Sequence, residues 1–374
     1  MRAIGLISAI AVFTLTSSAF AAPSRVYADP GPLLVEIKSL DSTTQVVVPM
    51  GTGSYPLIVA SHGWSASSNN QIGWAKHFAS HGFVVAVPDF PSPVSPNTAT
   101  NAGIIKKLVT DLTTTKAATY KVKAGAFGLE GHSAGGLATT VASAALSPAA
   151  TVLFDPVDKN GDGKNAYATL CAPVLSIFAE SGSCNQNAEW TGFAATTKAD
   201  SITFKVKGST HCDGENSKRT LCGPFCGGGA DPDRQAVYGH YATAFFLSRL
   251  ANDNTALAAL ADTTLSGDTD VANFAHAPST CGTNPNDAGA TPDASTKRDS
   301  STPGPEDGDG DGGATGGSKK SDAGGSINDV VPAGEEGGGC SQAPGESSSV
   351  PGALALVGIV GLALTRRRRS ESTH

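Results

Sequence analysis

The stretch Gly131-His132-Ser133-Ala134-Gly135 decides the architecture that this sequence predicts. It follows a run of small and apolar residues at 124–129 and opens a helix-like segment at 136–146. A serine in a Gly-x-Ser-x-Gly motif between a strand and a helix lies on a strained turn, and the close backbone packing there excludes side chains two residues away. Gly131 and Gly135 satisfy that requirement. The motif therefore predicts that Ser133 is a nucleophile.

The helix after Ser133 also predicts where developing negative charge is stabilised. Backbone N–H groups at a helix N-terminus point towards an anion held there, so the N–H of Ala134 is one expected donor of an oxyanion hole. The second expected donor is the N–H of Trp64. Its loop, Ser61-His62-Gly63-Trp64, follows a strand-like run at 57–60 and precedes the serine motif, as expected for such a donor.

Short β-branched runs alternate with helix-like segments on both sides of the motif. Strands are predicted at 33–37, 44–48, 57–60, 83–87, 124–129, 151–154, 174–178 and 202–206, and helices at 70–81, 102–112 and 137–146. Such alternation predicts an α/β fold, in which helices flank a mostly parallel sheet in a single catalytic domain. Catalytic groups in such a sheet lie on loops at the carboxyl ends of the strands.

Two polar residues follow predicted strands at such positions. Asp155 comes directly after 151–154, and His211 follows 202–206 through a short loop. The chain order serine, acid, histidine is the order expected when the nucleophile lies on a strand-to-helix turn. We therefore predict a triad in which His211 takes the proton of Ser133 and Asp155 orients the imidazole. This chemistry requires no cofactor.

Residues 54–250 resemble the α/β-hydrolase superfamily, and within it the dienelactone-hydrolase-like, chlorophyllase-like and cutinase or polyester-hydrolase-like members. The strings that carry the resemblance are Ala60-Ser61-His62-Gly63-Trp64, Ala79-Ser80-His81-Gly82-Phe83-Val84-Val85, Gly131-His132-Ser133-Ala134-Gly135-Gly136, Asp155-Pro156-Val157-Asp158 and Gly208-Ser209-Thr210-His211. The resemblance implies the α/β-hydrolase fold and a serine carboxylic-ester hydrolase that works through an acyl-enzyme.

The related branches differ in the position of the triad acid. In the chlorophyllase-like branch an Asp one strand after the nucleophile serves, which resembles Asp155 here. In the polyester-hydrolase branch the acid follows the strand that corresponds to 173–178, and the matching position here is Gly182. Asp155 is therefore the predicted acid, Glu180 is the alternative, and Asp158 is a third candidate.

A short acidic segment raises the question of a metal. Asp158, Asn160 and Asp162 match the first half of a calcium loop, with oxygen ligands at alternate positions. The twelfth position is Thr169 rather than a bidentate Glu, and flanking helices are not evident. An ordinary turn rich in Asp and Asn is therefore the favoured interpretation, with calcium as the alternative.

The N-terminal end and the cysteines predict export. Arg2, an apolar run at 3–15 and the small residues up to Ala21 are typical of a secretory signal peptide at 1–21. Seven cysteines in an exported chain indicate an oxidising compartment. The six from Cys171 to Cys281 form an even set with fifteen possible pairings, among which the sequence does not choose.

The C-terminal part differs in composition from the predicted hydrolase domain at 22–282. Residues 283–339 are rich in Gly, Ser, Asp and Pro, which predicts a disordered linker. Residues 340–374 contain Cys340, an apolar segment at 350–364 and an arginine cluster at 366–369. This tail resembles the C-terminal sorting signals of myxobacterial surface proteins. We expect membrane contact only through the tail, in a protein secreted or held at the outer cell surface.

The net charge of −7 argues against a nucleic acid as partner. The sequence thus predicts a monomeric serine ester hydrolase that acts on a small-molecule or polymeric ester. Lactone, thioester or amide hydrolysis on the same fold is the first alternative. The second is a non-catalytic surface-binding homologue, for which the glycine at position 182 is the supporting feature.

Overall fold

The computed structural model describes residues 24–158, 160–188, 191–194, 196–216 and 222–282. The predicted signal peptide at 1–21, linker at 283–339 and tail at 340–374 lie outside these residues. All the described residues fall within one compact unit. Among them, no helix combines the length and the apolar character that crossing a membrane requires.

Within the described residues, nine strands form one sheet. They are β1 Val35–Ser39, β2 Thr44–Pro49, β3 Tyr55–Ser61, β4 Val84–Pro88, β5 Val122–His132, β6 Ala150–Phe154, β7 Val174–Phe178, β8 Ser201–Val206 and β9 Val271–Ala277. Their order across the sheet is β1-β2-β4-β3-β5-β6-β7-β8-β9. The strands β3 to β8 pair in parallel, whereas β1, β2 and β9 pair antiparallel.

The helices lie between and after these strands. They are α1 Ser68–Ser80, α2 Thr98–Thr113, α3 Ala117–Tyr120, α4 Ala134–Leu146, α5 Asp162–Thr169, α6 Thr191–Ala194, α7 Cys222–Cys226, α8 Pro232–Leu250, α9 Asn254–Ala259 and α10 Asp262–Gly267, with a 3₁₀ turn at His211–Gly214. A mostly parallel sheet flanked by helices confirms the predicted α/β-hydrolase fold. Each strand and helix predicted from the sequence is present, with ends shifted by a few residues.

The sheet is buried on both faces because its central strands are apolar along their whole length. On β4, Val85 and Val87 face a core that includes Trp74 of α1 and Phe245 of α8. The intervening residues, Val84 and Ala86, face a second core formed with α2 and α4. This alternation follows from the two-residue period of a strand, and it holds the sheet between two helical layers.

Three elements that the sequence analysis did not predict contribute to the surroundings of the site. The strand β9 adds an antiparallel edge beside β8. The helix α8 begins at Pro232, where the Asp231 side chain accepts from two N–H groups of the first turn. The helix α5 begins at Asp162, so the second half of the suggested calcium loop is helical.

Candidate active site

Ser133 lies on the turn between β5 and α4, as the motif predicts. Its backbone has φ 55° and ψ −124°, a conformation that residues other than glycine rarely adopt. A Cβ on Gly135 would lie 2.4 Å from the carbonyl oxygens of Ser61 and His62, and a Cβ on Gly131 would lie 2.4 Å from Thr139 Oγ1. The two glycines therefore permit the close packing that holds the serine in its strained position.

The structure brings the three predicted triad residues together. Ser133 Oγ lies 2.9 Å from Nε2 of His211, and Nδ1 of His211 lies 2.6 Å from Oδ2 of Asp155. Asp155 is fully buried, whereas Ser133 and His211 keep 6% and 7% of their surface exposed. The arrangement can therefore accept a proton from the serine on one side of the imidazole and stabilise the resulting imidazolium on the other.

Asp155 is held by more than its contact with the histidine. Its backbone has φ 41°, and its Oδ1 accepts from the N–H of Ala179 at 3.1 Å. The side-chain amide of Asn185 donates to Oδ2 at 3.1 Å and also to the carbonyl oxygen of Glu180 at 2.8 Å. A buried carboxylate needs such donors, since its desolvation is otherwise uncompensated.

The turn that carries His211 is fastened at several points. Asp213 accepts at Oδ2 from the N–H of Thr210 and from Nε of Arg234, both at 2.7 Å. The N–H of Asp231, just before α8, donates to Oδ1 of Asp213 at 2.7 Å. A disulfide joins Cys212, the neighbour of His211, to Cys222 at the start of α7. These contacts involve neither Ser133 nor Asp155, and they hold the turn that carries the imidazole of His211.

The two expected oxyanion donors belong to different segments that lie beside Ser133. Ala134 is the first residue of α4, where a backbone N–H has no carbonyl partner within the helix. The loop with Trp64 also passes close to the nucleophile, because a Cβ on Gly63 would lie 3.0 Å from Ser133 Cβ. The role of both N–H groups stays a prediction.

His62 fixes the orientation of the peptide between Gly63 and Trp64. The N–H of Phe90 donates to Nε2 of His62 at 3.0 Å, so the ring proton is on Nδ1. Nδ1 donates in turn to the carbonyl oxygen of Gly63 at 2.9 Å. Because a trans peptide is planar, holding this carbonyl towards His62 directs the N–H of Trp64 to the opposite side.

The triad opens into a cleft of about 610 Å³. Its lining residues include Leu137, Val157, both cysteines of the Cys184–Cys226 disulfide and Cys222, which is bonded to Cys212. Its rim carries large apolar side chains that are exposed to solvent, namely Trp64 at 53%, Val94 at 66% and Phe225 at 72%. The indole N–H of Trp64 donates to the carbonyl of Val94 at 2.8 Å, which fixes one side of this rim.

The other acidic candidates point elsewhere. Glu180 pairs with Nζ of Lys205 at 2.6 Å, and hydrogen bonding to this lysine lowers the pKa of the Glu180 carboxyl. Asp158 accepts at Oδ2 from the N–H of Lys164 at 2.8 Å, so it fastens the first turn of α5. Among the candidates, only Asp155 lies within hydrogen-bonding distance of the His211 ring in the part of the chain described.

The six cysteines of the predicted even set form three disulfides, Cys171–Cys281, Cys184–Cys226 and Cys212–Cys222. The sulfurs of Cys212, Cys222 and Cys226 lie within 4.8 Å of one another. Each of them is already in a disulfide, so none is a thiolate that could bind a metal. This pairing also explains why α7 stays against the cleft.

Sequence reasoning missed residues whose roles depend on contacts distant in the chain. Asn185 follows Cys184 in an irregular loop, and no local pattern marks it as the partner of Asp155. Phe225 lies between two cysteines, and that position was the one available hint that it is held in place. His132 belongs to the serine motif, but nothing in the motif predicts its contact with the His211 turn.

Comparison with known proteins gives consistent similarities over part of the chain. The family model described as Chlorophyllase matches residues 33–189, a segment that contains Ser133 and Asp155 and ends before His211. Chlorophyllase-2 of Arabidopsis thaliana is 31% identical over 144 residues, which are 36% of this chain and 45% of that protein. Chlorophyllase-1, chloroplastic, of Citrus sinensis is 29% identical over 117 residues, 30% of this chain and 36% of that protein. The chain thus spans less than half the length of these curated relatives.

Proposed function

Because the chain belongs to the α/β-hydrolase superfamily, we propose that it is a serine hydrolase of carboxylic esters. The observation that carries the proposal is the chain of hydrogen bonds from Ser133 through His211 to Asp155, at 2.9 and 2.6 Å, beside the cleft. The similarity to two proteins named chlorophyllases supports the choice of an ester as substrate.

The reaction proceeds in two steps. Ser133 Oγ attacks the ester carbonyl carbon while Nε2 of His211 takes the hydroxyl proton, and the same proton then passes to the departing alcohol. A water molecule repeats the attack on the acyl-enzyme, again giving its proton to His211, and the acid leaves as Ser133 recovers its hydrogen. Asp155 holds the imidazole in the tautomer that both steps need.

Negative charge on the carbonyl oxygen develops in both steps. The N–H groups of Ala134 and Trp64 are the proposed donors to this oxyanion. Removing one such donor typically lowers kcat by about 10²- to 10³-fold, because donors already in place need no reorganisation during the reaction. The support for Trp64 is the fixed orientation of its peptide, through His62 and the carbonyl of Gly63.

The surroundings of the cleft favour neutral esters with a substantial hydrocarbon part. The exposed side chains of Trp64, Val94 and Phe225 offer apolar surface beside the nucleophile. Among the described residues that line the cleft, none is Lys or Arg, so the described lining offers no cation to a substrate carboxylate or phosphate. We propose that the hydrocarbon part of the ester covers this apolar rim.

A direct experiment compares ester turnover by the purified protein with that of Ser133→Ala. The variant is expected to lose activity on p-nitrophenyl butyrate by on the order of 10⁶-fold, since triad members act as a unit. Ser95→Ala is the matched control, because Ser95 lines the same cleft without contacting His211, and it should retain wild-type kcat. Ester turnover that survives in Ser133→Ala would contradict the mechanism.

Lactones, thioesters and amides in the same assay address the neighbouring chemistries. Turnover of one of these classes with no turnover of any ester would favour the first alternative. A wild-type protein that hydrolyses none of the four classes would favour the non-catalytic homologue.

We also propose that the protein is exported and held at the cell surface by its C-terminal tail. The three disulfides support an oxidising compartment. Mass spectrometry of the protein recovered from its native source tests this directly. The expected N-terminus follows Ala21, and recovery of a chain that still begins at Met1 would contradict the signal peptide.

A further inference from the structure

His132 lies at the point where three loops of the site meet. It precedes Ser133 on the nucleophile turn, and its ring is buried with 1% exposure. A Cβ on Gly63, in the Trp64 loop, would lie 3.1 Å from Nδ1 of this ring. A Cβ on Gly214, in the His211 turn, would lie 2.3 Å from its Cδ2. Glycines on both sides thus leave space for the imidazole between the two loops.

The ring of His132 also makes a polar contact with the backbone of the histidine in the triad. Nε2 of His132 lies 2.9 Å from the carbonyl oxygen of His211. A carbonyl accepts only, so Nε2 carries a proton and donates. The two imidazole rings lie 4.6 Å apart at an interplanar angle of 43°. One side chain therefore touches both the backbone and the ring of His211.

The residues behind His132 hold the same turn against α1. Nδ1 of His132 lies 4.0 Å from Oε1 of Glu215, and Asn70 of α1 donates to Oε2 of Glu215 at 3.1 Å. The indole N–H of Trp74 donates to the carbonyl of Gly214 at 3.0 Å. Nε2 of His132 carries a proton both in the neutral tautomer required here and in the imidazolium, so the donor is present in either state.

From these contacts we propose that His132 is a positioning residue, whose donation to the His211 carbonyl keeps Nε2 of His211 within reach of Ser133 Oγ. The inference rests on the proposed function, because kcat is its first measure. A side chain that fills the space without donating would leave a buried carbonyl without this partner and allow the turn to move. A displacement of about 1 Å at reacting groups lowers rates by about 10²-fold.

Three variants separate donation from packing. In His132→Gln the amide nitrogen lies about as far along the side chain as Nε2, so it retains a donor for the His211 carbonyl. In His132→Asn the amide is about one bond shorter and does not reach that carbonyl. His132→Leu fills the space without any polar group. Gln and Asn carry the same amide group at different lengths. Comparing these two variants therefore tests the donation even if the Leu variant fails to fold.

On p-nitrophenyl butyrate, we expect His132→Gln to keep kcat within about threefold of wild type. The Asn and Leu variants are expected to lose about 10- to 100-fold in kcat with KM changed less than about twofold, because a positioning defect acts on the transition state. A kcat unchanged in the Leu variant, or equal losses in the Gln and Asn variants, would overturn the inference.

A second measurement does not depend on turnover. The proton between Nδ1 of His211 and Asp155 should give a far-downfield resonance in the proton NMR spectrum of the full chain. We expect this resonance in wild type and His132→Gln, and its loss or displacement in the Asn and Leu variants. If the wild-type protein hydrolyses no ester but the four proteins show this pattern of resonances, the proposed function is contradicted and the positioning role of His132 is retained. The same resonance in all four proteins would overturn the positioning role.

Discussion

The side-chain amide of Asn185 donates to Oδ2 of Asp155 across 3.1 Å, the same oxygen that faces Nδ1 of His211. This contact joins the loop after β7 to the loop after β6. The resemblance to polyester hydrolases implies an acid on the later of these two loops. Here the later loop supplies an amide donor, and Asp155, the acid that the chlorophyllase-like resemblance implies, lies on the earlier loop.

The first prediction concerns the identity of the acid. Asp155→Asn should lower kcat on p-nitrophenyl butyrate by on the order of 10⁴-fold, because an amide favours the wrong imidazole tautomer. Glu180→Gln should leave kcat within a few-fold of wild type, because the carboxylate of Glu180 faces Lys205 rather than His211. The reverse pattern in these two measurements would move the acid to the later loop.

The second prediction concerns the disulfide beside the histidine. Replacing both Cys212 and Cys222 by Ser should lower kcat by about tenfold or more, because His211 loses a covalent support and a small displacement is costly. It should also lower the free energy of unfolding by about 2–3 kcal/mol. Both quantities are measured on the same preparations by kinetics and urea unfolding.

The control for that experiment is the pair Cys171 and Cys281, which joins segments outside the cleft lining. Replacing both by Ser should lower the free energy of unfolding at least as much, because that bridge spans a sequence separation of 110 rather than 10. Its kcat should equal that of wild type. Equal losses of kcat in the two double variants would show that the bridge at Cys212 has no special effect on the site.

The third prediction concerns the apolar rim of the cleft. Phe225→Ala should lower kcat/KM for p-nitrophenyl octanoate by about tenfold and leave the acetate unaffected, since each methylene removed from water contributes a factor of about four. Leu257→Ala removes an apolar side chain that is 45% exposed and lies outside the cleft lining, so it is the matched control. Equal losses of kcat/KM on the octanoate and the acetate would show that Phe225→Ala acts through folding or the triad and not through the apolar rim.

The fourth prediction concerns stability in acid. Burial, with repulsion from His81, lowers the pKa of His77 from 6.5 to about 4. Burial likewise lowers the pKa of His240 to about 4. Each histidine therefore binds a proton in the unfolded chain at a higher pH than in the folded one. The free energy of unfolding should fall as the pH drops from about 6.5 towards about 4.

Urea unfolding at pH 7.5 and pH 5 measures this effect, with an expected loss of about 2 kcal/mol per histidine at the lower pH. His77→Gln should reduce the loss of unfolding free energy by the part that His77 contributes. In His276, hydrogen bonds with Asp200 and Asp262 outweigh partial burial and raise the pKa. His276→Gln should therefore not reduce the loss of unfolding free energy at pH 5. Equal unfolding free energies at the two pH values would contradict the account.

The part of the site that could be predicted from sequence is the part encoded locally. The strained turn at Ser133 needs Gly131 and Gly135 within a few residues, so the motif alone identifies it. Asp155 and His211 could be predicted because each follows a strand in a parallel sheet, where the strand ends meet. The same reasoning left Glu180 as an alternative, since it also follows a strand.

What could not be predicted depends on contacts between distant segments. The amide of Asn185 meets Asp155 only after β6 and β7 have paired, and nothing near position 185 encodes that meeting. The pairing of the six cysteines likewise cannot be predicted from their sequence positions, because it depends on how the loops fold. The helix α5 was likewise not predicted, and it occupies the second half of the calcium pattern that begins at 158.

The proposed mechanism requires that Ser133 is the nucleophile of a working triad. Labelling of the folded protein with a fluorophosphonate, followed by peptide mass spectrometry, tests it most directly, because the reagent bonds to an activated serine Oγ and releases fluoride. We predict a single adduct on the peptide that contains Ser133, absent in Ser133→Ala and greatly slowed in Asp155→Asn. A protein that hydrolyses esters yet carries the label on another residue, or takes up none, would contradict the account.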